Sequence, residues 1–212
     1  MPSQEEIIQK SFRKIKKSEI RKFAELRSVC MMDYPLYAVI YPNEKKRRKQ
    51  MFYTSWYMLY EYQAFTYIDS TNKMLFSLKK PGDKNTSTLG LLLNPAFFFG
   101  AMRYITPACL KRIRSYSKLE EETEKRHYDP KTDYYICNVC IEKNARGGGL
   151  FFKVLSAFDE HARYYFVTHS EKNMKLYKLC GGKICEAVNW NGVMHYCMAR
   201  EASKGLESPP KE

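Results

Sequence analysis

The sequence predicts a single α/β domain built on a mixed β-sheet, and three observations support this class. The segments from Tyr134 to Ile141 and from Tyr164 to Val167 are typical of strands, because aromatic and β-branched residues suit a pleated surface. A segment that begins near Leu150 separates them and carries apolar residues at helical spacing. The segments 183–188 and 193–200 then predict a terminal hairpin that turns at an Asn-Trp-Asn-Gly sequence.

The N-terminal part is expected to alternate short strands with helices. Ser or Asn precedes several helical segments as a capping residue, and proline interrupts the helical patterns. The expected elements, in chain order, are a strand at 12–16, a helix from Ser18 toward Met32, an extended piece at 36–41 between Pro35 and Pro42, a helix at 44–63 capped by Asn43, a hairpin of strands at 66–69 and 74–78, and a helical connection at 89–124 broken near Pro95 or Pro107.

A glycine-rich loop at 143–149 leads directly into the helix that begins near Leu150. The first N–H groups of a helix have no acceptor within the helix, and successive glycines let the main chain approach a ligand closely, so this loop could hold a pyrophosphate. A P-loop would need Gly-Lys-Ser/Thr, but Leu150 and Phe151 follow the glycines. Phe152 occupies the third glycine position of a dinucleotide fingerprint. A simple tight turn remains the alternative interpretation.

The segment 170–182 predicts a short helix with defined ends. Ser170 is a candidate N-cap and Gly181 a candidate left-handed residue just after the helix. Asn173 and Tyr177 are four residues apart, so they share one face of this helix.

Together these residues resemble the GNAT superfamily of acyl-CoA-dependent N-acyltransferases. Its first signature is an Arg or Gln, two residues, Gly, one residue, then Gly or Ala; Arg146 and Gly149 match it, and Phe151 replaces the small last residue. Its second signature, an Asn followed four residues later by Tyr, then Lys and a glycine, resembles the residues Asn173, Tyr177, Lys178 and Gly181, with Gly182 at a position that is usually aromatic. The specific resemblance covers roughly residues 134–200.

The resemblance implies a GNAT-like fold, with a mostly antiparallel central sheet that is splayed at the cofactor site and flanked by helices. It implies acetyl-CoA, or another short acyl-CoA, as co-substrate. Backbone amides of the glycine loop would hold the pyrophosphate, with a charge-assisted contact from Arg146. The central strand would pair with the pantetheine arm, and Asn173 would contact the pantetheine or the amine side. The implied cofactor-binding residues are Val139, Cys140, Ile141, Arg146, Gly147, Gly148, Gly149, Leu150, Phe151 and Asn173.

The implied activity is transfer of an acetyl or short acyl group to a primary amine by direct attack in a ternary complex. Tyr177 would be the general acid that protonates the departing thiolate, although an ordinary aromatic residue packed under the sheet is its other interpretation. The general base is left open. Tyr135 stands where many family members carry a carboxylate, and the remaining candidates are Glu142, Asp133, His127, a bound water or an already neutral amine.

Two other functions remain open, a non-catalytic acyl-CoA sensor and a basic nucleic-acid-binding module. The net charge of +13, with 36 basic and 23 acidic residues, favours polyanionic partners. The basic run at 45–49 precedes Phe52, Tyr53, Trp56 and Tyr57. Aromatic residues at helical spacing usually pack inward, so a nucleic acid is not the expected partner. The expected partner is a small-molecule or peptide amine, whose identity is left open, as is the oligomeric state.

Length and composition predict one GNAT-like domain over residues 1–201 and a disordered tail at 202–212. No apolar run reaches 18 residues, so no membrane association is expected, and the N-terminus lacks the pattern of a signal peptide. Seven cysteines, an odd number, predict reduced thiols in the cytoplasm. Cys137 and Cys140 are spaced like zinc ligands, but residues three apart on a regular strand point to opposite faces, so no metal site is expected.

Overall fold

The computed structural model describes residues 8, 10–155 and 158–202. The tail predicted at 202–212 therefore lies outside the described residues except for Ala202. Among the described residues, no helix has both the length and the apolar character needed to cross a bilayer.

A seven-stranded mixed sheet forms the centre of the fold, as the sequence predicts. Its spatial order is β1-β2-β3-β4-β5-β7-β6, and every neighbouring pair is antiparallel except β4 with β5. The strands are β1 (Phe12–Lys14), β2 (Thr66–Asp69), β3 (Met74–Lys79), β4 (Tyr134–Ile141), β5 (Tyr164–Thr168), β6 (Lys183–Trp190) and β7 (Val193–Arg200).

Helices cover both faces of this sheet. The α-helices of the described residues, in chain order, are α1 (Ile20–Cys30), α2 (Pro35–Ile40), α3 (Glu44–Glu61), α4 (Leu89–Leu92), α5 (Pro95–Tyr104), α6 (Pro107–His127), α7 (Leu150–Leu155) and α8 (Glu171–Leu179), and short 3₁₀ turns lie at Lys17–Glu19, Gln63–Phe65 and Lys143–Ala145.

Three sequence expectations about the helices need correction. The segment 36–41 is not extended, because Pro35 occupies the first position of α2, where proline costs no hydrogen bond, and Leu36 and Ile40 are buried on one side. The connection at 89–124 breaks at both prolines instead of one, since Asn94 and Thr106 each cap a new helix. The first long helix begins at Ile20, after a 3₁₀ turn that contains Ser18.

The expected cap at Asn43 is confirmed, because its side chain accepts from Lys46 N at 3.1 Å.

The basic run at the start of α3 is largely exposed, while the aromatic residues that follow it pack inward. Trp56 is buried, and Phe52 and Tyr53 pack partly against the cluster that contains Ile68 and Leu75. The interpretation as core residues is therefore confirmed for these three aromatics, whereas Tyr57 is exposed.

A β-bulge in β4 changes which side chains share a face of the sheet. Leu75 pairs with Cys140 while Ser77, two residues on, pairs with Cys137, so β4 carries one extra residue. Asn138 lies in this step and takes a left-handed conformation with φ of 55°. Asparagine tolerates this region better than most residues.

The bulge overturns the expectation that Cys137 and Cys140 point to opposite faces. Ile136 and Val139 are also three residues apart, yet they pack into the same cluster beneath α7 and α8. In a regular strand they would point to opposite faces, so the extra residue of the bulge reverses the alternation of side chains after it. Cys137 and Cys140 therefore both lie on the opposite face, in separate apolar clusters. Within the described ranges, no group of three or more His, Cys, Asp or Glu side chains could hold a metal ion.

The sheet splays between β4 and β5. Their parallel pairing covers Tyr134 with Tyr164, Tyr135 with Tyr165 and Ile136 with Phe166, and then stops. Strand β4 continues to Ile141 without a partner on β5, while β5 stays paired with β7 to Thr168. The splayed sheet implied by the resemblance is therefore present, and the residues Val139, Cys140 and Ile141 lie on its unpaired stretch.

Candidate active site

The glycine loop connects the free end of β4 to the start of α7. Gly147 and Gly149 have φ angles of 84° and 76°, a region that strains other residues, whereas Gly148 has an ordinary conformation. The Arg146 Nε atom donates to the carbonyl of Ile141 at 3.1 Å, which ties the loop to the last residue of β4.

Space around the loop glycines is open. A Cβ added at Gly147 or Gly149 would meet nothing within 4 Å, so the backbone conformation, not crowding, calls for glycine there. The Phe151 ring packs 5.6 Å from the Tyr177 ring and contacts the apolar cluster beneath the sheet. Its bulk is therefore directed into the core, which explains how the loop accommodates a large residue where the family has a small one.

Helix α8 holds Tyr177 and Asn173 through well-defined ends. The Ser170 hydroxyl accepts from Asn173 N at 3.3 Å, which confirms the predicted N-cap. Gly181 has φ of 86°, and the N–H groups of Gly181 and Gly182 donate to Lys178 O at 3.1 Å and to Tyr177 O at 2.9 Å. This is a Schellman motif, so the predicted helix end at Gly181 is also confirmed.

Position 182 has no room for a side chain and therefore requires glycine. A Cβ at this position would lie 2.8 Å from Phe166 Cζ and 2.9 Å from the Tyr177 carbonyl oxygen. No side chain fits there, which gives a physical reason why this chain lacks the aromatic residue that the family has at this position.

The Tyr177 ring lies between the rings of Phe151 and Phe166, with centroid distances of 5.6 and 5.0 Å. Burial raises the pKa of its hydroxyl, and the neighbouring Tyr34 and Cys140 raise it further. Tyr177 packs against the same cluster as Val139, which lies on the stretch of β4 without a partner on β5. The Tyr177 hydroxyl stays protonated at neutral pH. Asn173 is half-buried one turn earlier on the same helix.

A chain of buried polar side chains lies beside the splay, at the end of β5. His169 Nε2 is 2.9 Å from the Tyr116 hydroxyl and 3.1 Å from His195 Nδ1. His195 Nε2 is 3.1 Å from Thr123 Oγ1, and His169 Nδ1 is 3.4 Å from the Tyr34 hydroxyl. Burial lowers the pKa of His169 to about 3 and that of His195 to about 4, so both imidazoles are neutral at pH 7. No sequence pattern indicated this network, because its five residues come from four separate segments of the chain.

Two of the candidate general bases are bonded to other side chains away from the splay. His127 Nε2 lies 2.8 Å from Glu186 Oε2, and Asp133 pairs with Arg163. Asp133 immediately precedes β4, at the end of that strand opposite to its unpaired residues. Glu142 follows β4 directly at the other end and is half-buried. Tyr135, at the family's carboxylate position, is buried.

Helix α6 brings two other carboxylates to the sheet. Glu120 and Glu124 are half-buried on successive turns, and the Tyr116 hydroxyl donates to Glu120 Oε1 at 3.3 Å. Burial, together with the charges of Glu124 and Glu61, raises the pKa of Glu120 to about 8. Burial also raises the pKa of Glu124, while the nearby Tyr135 hydroxyl partly opposes this shift. The sequence indicated only a helical connection here; the spacing of Tyr116, Glu120 and Thr123 on one helix face was the available signal.

Comparison with solved structures identifies the fold. An acetyltransferase from Corynebacterium glutamicum, described as histone acetyltransferase HPA2 and related acetyltransferase, matches 92% of this chain and 98% of its own at 13% identity and a TM-score of 0.53. An N-acetyltransferase from Staphylococcus aureus matches 89% of this chain and 98% of its own, at 13% identity and a TM-score of 0.48. A GNAT-family acetyltransferase from Streptococcus agalactiae matches 91% and 95%, at 13% identity and a TM-score of 0.47.

No protein-family model and no curated protein matches the sequence. The first of these structures aligns over nearly the whole of both chains, and the splayed mixed sheet lies where the two sequence signatures require it. The chain has the fold of the GNAT acetyltransferases.

Proposed function

We propose that this protein is an N-acetyltransferase that transfers an acetyl or other short acyl group from acyl-CoA to a primary amine. The observation that carries the proposal is the splay, where β4 runs on from Cys137 to Ile141 with no partner on β5. Unpaired peptide groups inside a protein need hydrogen-bond partners, and the amide-bearing pantetheine arm is a ligand that supplies them.

The residues around the splay suit an acyl-CoA. Val139, Cys140 and Ile141 offer main-chain groups to the pantetheine arm, and the loop that follows carries two left-handed glycines. The backbone amides of Gly148, Gly149, Leu150 and Phe151 would donate to the pyrophosphate, with the exposed Arg146 adding positive charge. Asn173 would contact the pantetheine arm or the amine side.

Acetyl-CoA supplies an activated thioester when bound. Tyr177 would donate its proton to the departing thiolate, since its raised pKa keeps the phenol protonated until that step. The apolar rings of Phe151 and Phe166 hold the Tyr177 ring in place, so little reorganisation is needed. An amine attacks as its neutral form, which requires a group that removes a proton from the incoming ammonium.

A cytoplasmic location fits the state of the cysteines, because that compartment keeps thiols reduced. All seven cysteines are free, and no disulfide constrains the fold.

Calorimetry with acetyl-CoA tests the proposal on three proteins. Gly148 is the informative position, because its ordinary backbone conformation accepts a side chain without strain, and an added Cβ meets only Ala145 O at 3.4 Å. We expect micromolar binding to wild type and to Gly148→Ala, and binding weakened at least tenfold, about 1.4 kcal/mol, in Gly148→Glu. The proposal is overturned if wild type does not bind acetyl-CoA, or if the added carboxylate has no effect.

A further inference from the structure

Helix α5 packs tightly on α3 through one of its faces. The Phe97 ring lies 5.5 Å from the ring of Trp56 and 6.1 Å from that of Tyr53. The Tyr104 ring stacks on Tyr53 with centroids 5.8 Å apart. The contact is so close that a Cβ added at Gly100 would overlap the Tyr53 ring. This inner face of α5 is therefore already covered.

The opposite face of α5 is apolar as well, and it is exposed. Phe98, Phe99 and Met102 lie on this outer face, where Phe99 is 69% exposed and Met102 is 65% exposed. The rings of Phe98 and Phe99 are 5.5 Å apart and meet edge to face. A helix at a solvated surface normally carries polar residues on its outer side, so the composition of α5 is that of a helix covered on both sides.

The preceding helix, α4, adds leucines to the same surface. It contacts α5, and the Asn94 side chain at the junction accepts from Phe97 N at 3.2 Å. Leu91 is buried in the same cluster as Phe97, whereas the three other leucines are exposed, Leu93 by 73%. Six of the eleven large apolar side chains that are exposed in the described part of the chain thus fall within 89–102 and are not scattered singly. We call them the apolar patch; they are Leu89, Leu92, Leu93, Phe98, Phe99 and Met102.

The segment that carries the apolar patch is positively charged. From Lys84 to Lys118 the sequence contains six Lys or Arg residues and no Asp or Glu. Arg103 lies on α5 itself, and Lys111 and Arg114 lie on the first two turns of α6. All three are exposed, and within the described ranges none of them forms an ion pair. Their charges are therefore available to an anionic partner.

An open cleft with further cations adjoins α5 across Tyr53. Its lining consists of three cationic side chains, one carboxylate and two rings, namely Arg21, Lys22, Lys49, Glu25, Phe52 and Tyr53. Tyr53 also contacts Phe97 and Tyr104, which connects the cleft to the inner face of α5. Arg48 pairs with Glu25, so the only carboxylate named in this lining is already neutralised.

An apolar patch bordered by cations matches the surface of a bilayer that contains anionic lipids. Apolar side chains enter the boundary between headgroups and acyl chains, while Lys and Arg remain at the lipid phosphates. A second copy of this chain matches less well, because a symmetric contact through the apolar patch would bring its own cations together.

We propose that the apolar patch on α4 and α5 binds the surface of an anionic bilayer, with Arg103, Lys111, Arg114 and the cations of the adjoining cleft at the lipid headgroups. The expectation of no membrane association rested on the length of the apolar runs, and that length rules out only a helix that spans the bilayer. A helix that lies in the interface needs an apolar face and flanking cations, and both are present. The proposal is independent of acyl transfer, so its test uses the chain without acetyl-CoA.

Sedimentation of the full chain with vesicles tests the proposal. One set of vesicles contains phosphatidylcholine and phosphatidylserine, and the other contains phosphatidylcholine alone. We expect wild type to bind the anionic vesicles about tenfold more tightly than the neutral ones, and to bind them less as the salt concentration rises, because salt screens the charges. The proposal is overturned if wild type binds neither kind of vesicle, or binds both alike.

A double variant, Leu93→Ser with Phe99→Ser, locates the apolar part of the binding surface. It removes two exposed side chains of the apolar patch, and we expect it to bind the anionic vesicles about tenfold more weakly than wild type. Leu179→Ser is the matched control, because Leu179 is an exposed apolar residue on α8, and it should bind like wild type.

A second double variant, Lys111→Gln with Arg114→Gln, tests the cations. We expect it to weaken binding to the anionic vesicles about fivefold, because each cation near an anionic surface contributes to binding. Lys172→Gln removes an exposed cation on α8 and should have no such effect.

Circular dichroism checks that each variant keeps the wild-type fold. Binding of the Leu93→Ser, Phe99→Ser variant at the wild-type level contradicts the role of the apolar patch. Light scattering identifies the alternative occupant: a dimeric wild type that does not bind anionic vesicles, together with a monomeric Leu93→Ser, Phe99→Ser variant, would assign the apolar patch to a contact between copies of the chain and overturn the proposal.

Discussion

The Nε atom of Arg27 in α1 donates a hydrogen bond of 3.2 Å to Oδ1 of Asn138, the left-handed residue of the bulge in β4. Arg27 is only 2% exposed, and its other bonds go to the hydroxyls of Ser55 at 3.0 Å and Tyr37 at 2.7 Å. The amide of Asn138 in turn donates to Ser77 Oγ at 3.2 Å. A residue from the first helix thus fixes the conformation from which the unpaired part of β4 begins.

We expect Arg27→Met to lower the free energy of unfolding by about 2–4 kcal/mol, because three buried acceptors lose their donors. Urea unfolding monitored by circular dichroism measures this. Lys22→Met, an exposed cation on the same helix, is the matched control and should change stability little. Equal stability of Arg27→Met and wild type would show that the bulge does not depend on the guanidinium.

A substitution at Gly182 should disturb Tyr177. The added Cβ of Gly182→Ala would overlap Phe166 and the Tyr177 carbonyl, at 2.8 and 2.9 Å, so we expect a loss of about 1–3 kcal/mol in stability. Gly148→Ala has no such overlap and should melt within about 1–2 °C of wild type. Thermal unfolding compares the two, and identical melting temperatures would contradict the tight packing around Tyr177.

Replacing the candidate acid separates an enzyme from a sensor. Under the proposed function, Tyr177→Phe keeps the ring between Phe151 and Phe166 but removes the proton donor, so kcat should fall about 100-fold while acetyl-CoA affinity is unchanged. Steady-state kinetics and calorimetry give the two values. Undiminished kcat would remove Tyr177 from the mechanism, and acetyl-CoA binding without turnover on any amine in wild type would favour the sensor.

The buried histidines predict acid sensitivity of the fold. The folded pKa values of about 3 for His169 and about 4 for His195 lie below the ordinary value of 6.5, so the unfolded chain binds more protons as the pH falls below 6.5. We expect the two histidines together to lower the free energy of unfolding by roughly 4 kcal/mol between pH 7 and pH 5, about half of it from each. Urea titrations at several pH values measure the slope. His195→Asn should reduce it, whereas a change at the exposed His161 should not.

Glu120 should have the opposite effect on stability, over a pH range that overlaps that of the histidines and extends to about pH 8. Its folded pKa of about 8 lies above the ordinary value of 4.5, so the folded chain binds more protons between these values and stability falls as the pH rises. We expect Glu120→Gln to be more stable than wild type at pH 8, by on the order of 1 kcal/mol, and to differ less at pH 5. A variant that is less stable than wild type at pH 8 would contradict the burial of an unpaired charge.

Local sequence patterns determined the positions of many strands and helix ends in this protein. Aromatic and β-branched runs placed the strands around the glycine loop, and capping residues such as Asn43, Ser170 and Gly181 marked helix ends, because these signals act within a few residues. The two signatures were enough to predict the GNAT-like fold. At Pro35 the local pattern predicted an extended piece. The segment is a helix instead, with proline at its first position and Leu36 and Ile40 buried on one side.

Tertiary structure alone decided the contents of the site. His169 meets His195 only because β5 and β7 are adjacent in the sheet. The bulge at Asn138 reversed the expected facing of Cys140, since one extra residue in a strand shifts every later side chain to the other face. Burial and pKa shifts depend on such long-range contacts, which no short stretch of sequence encodes.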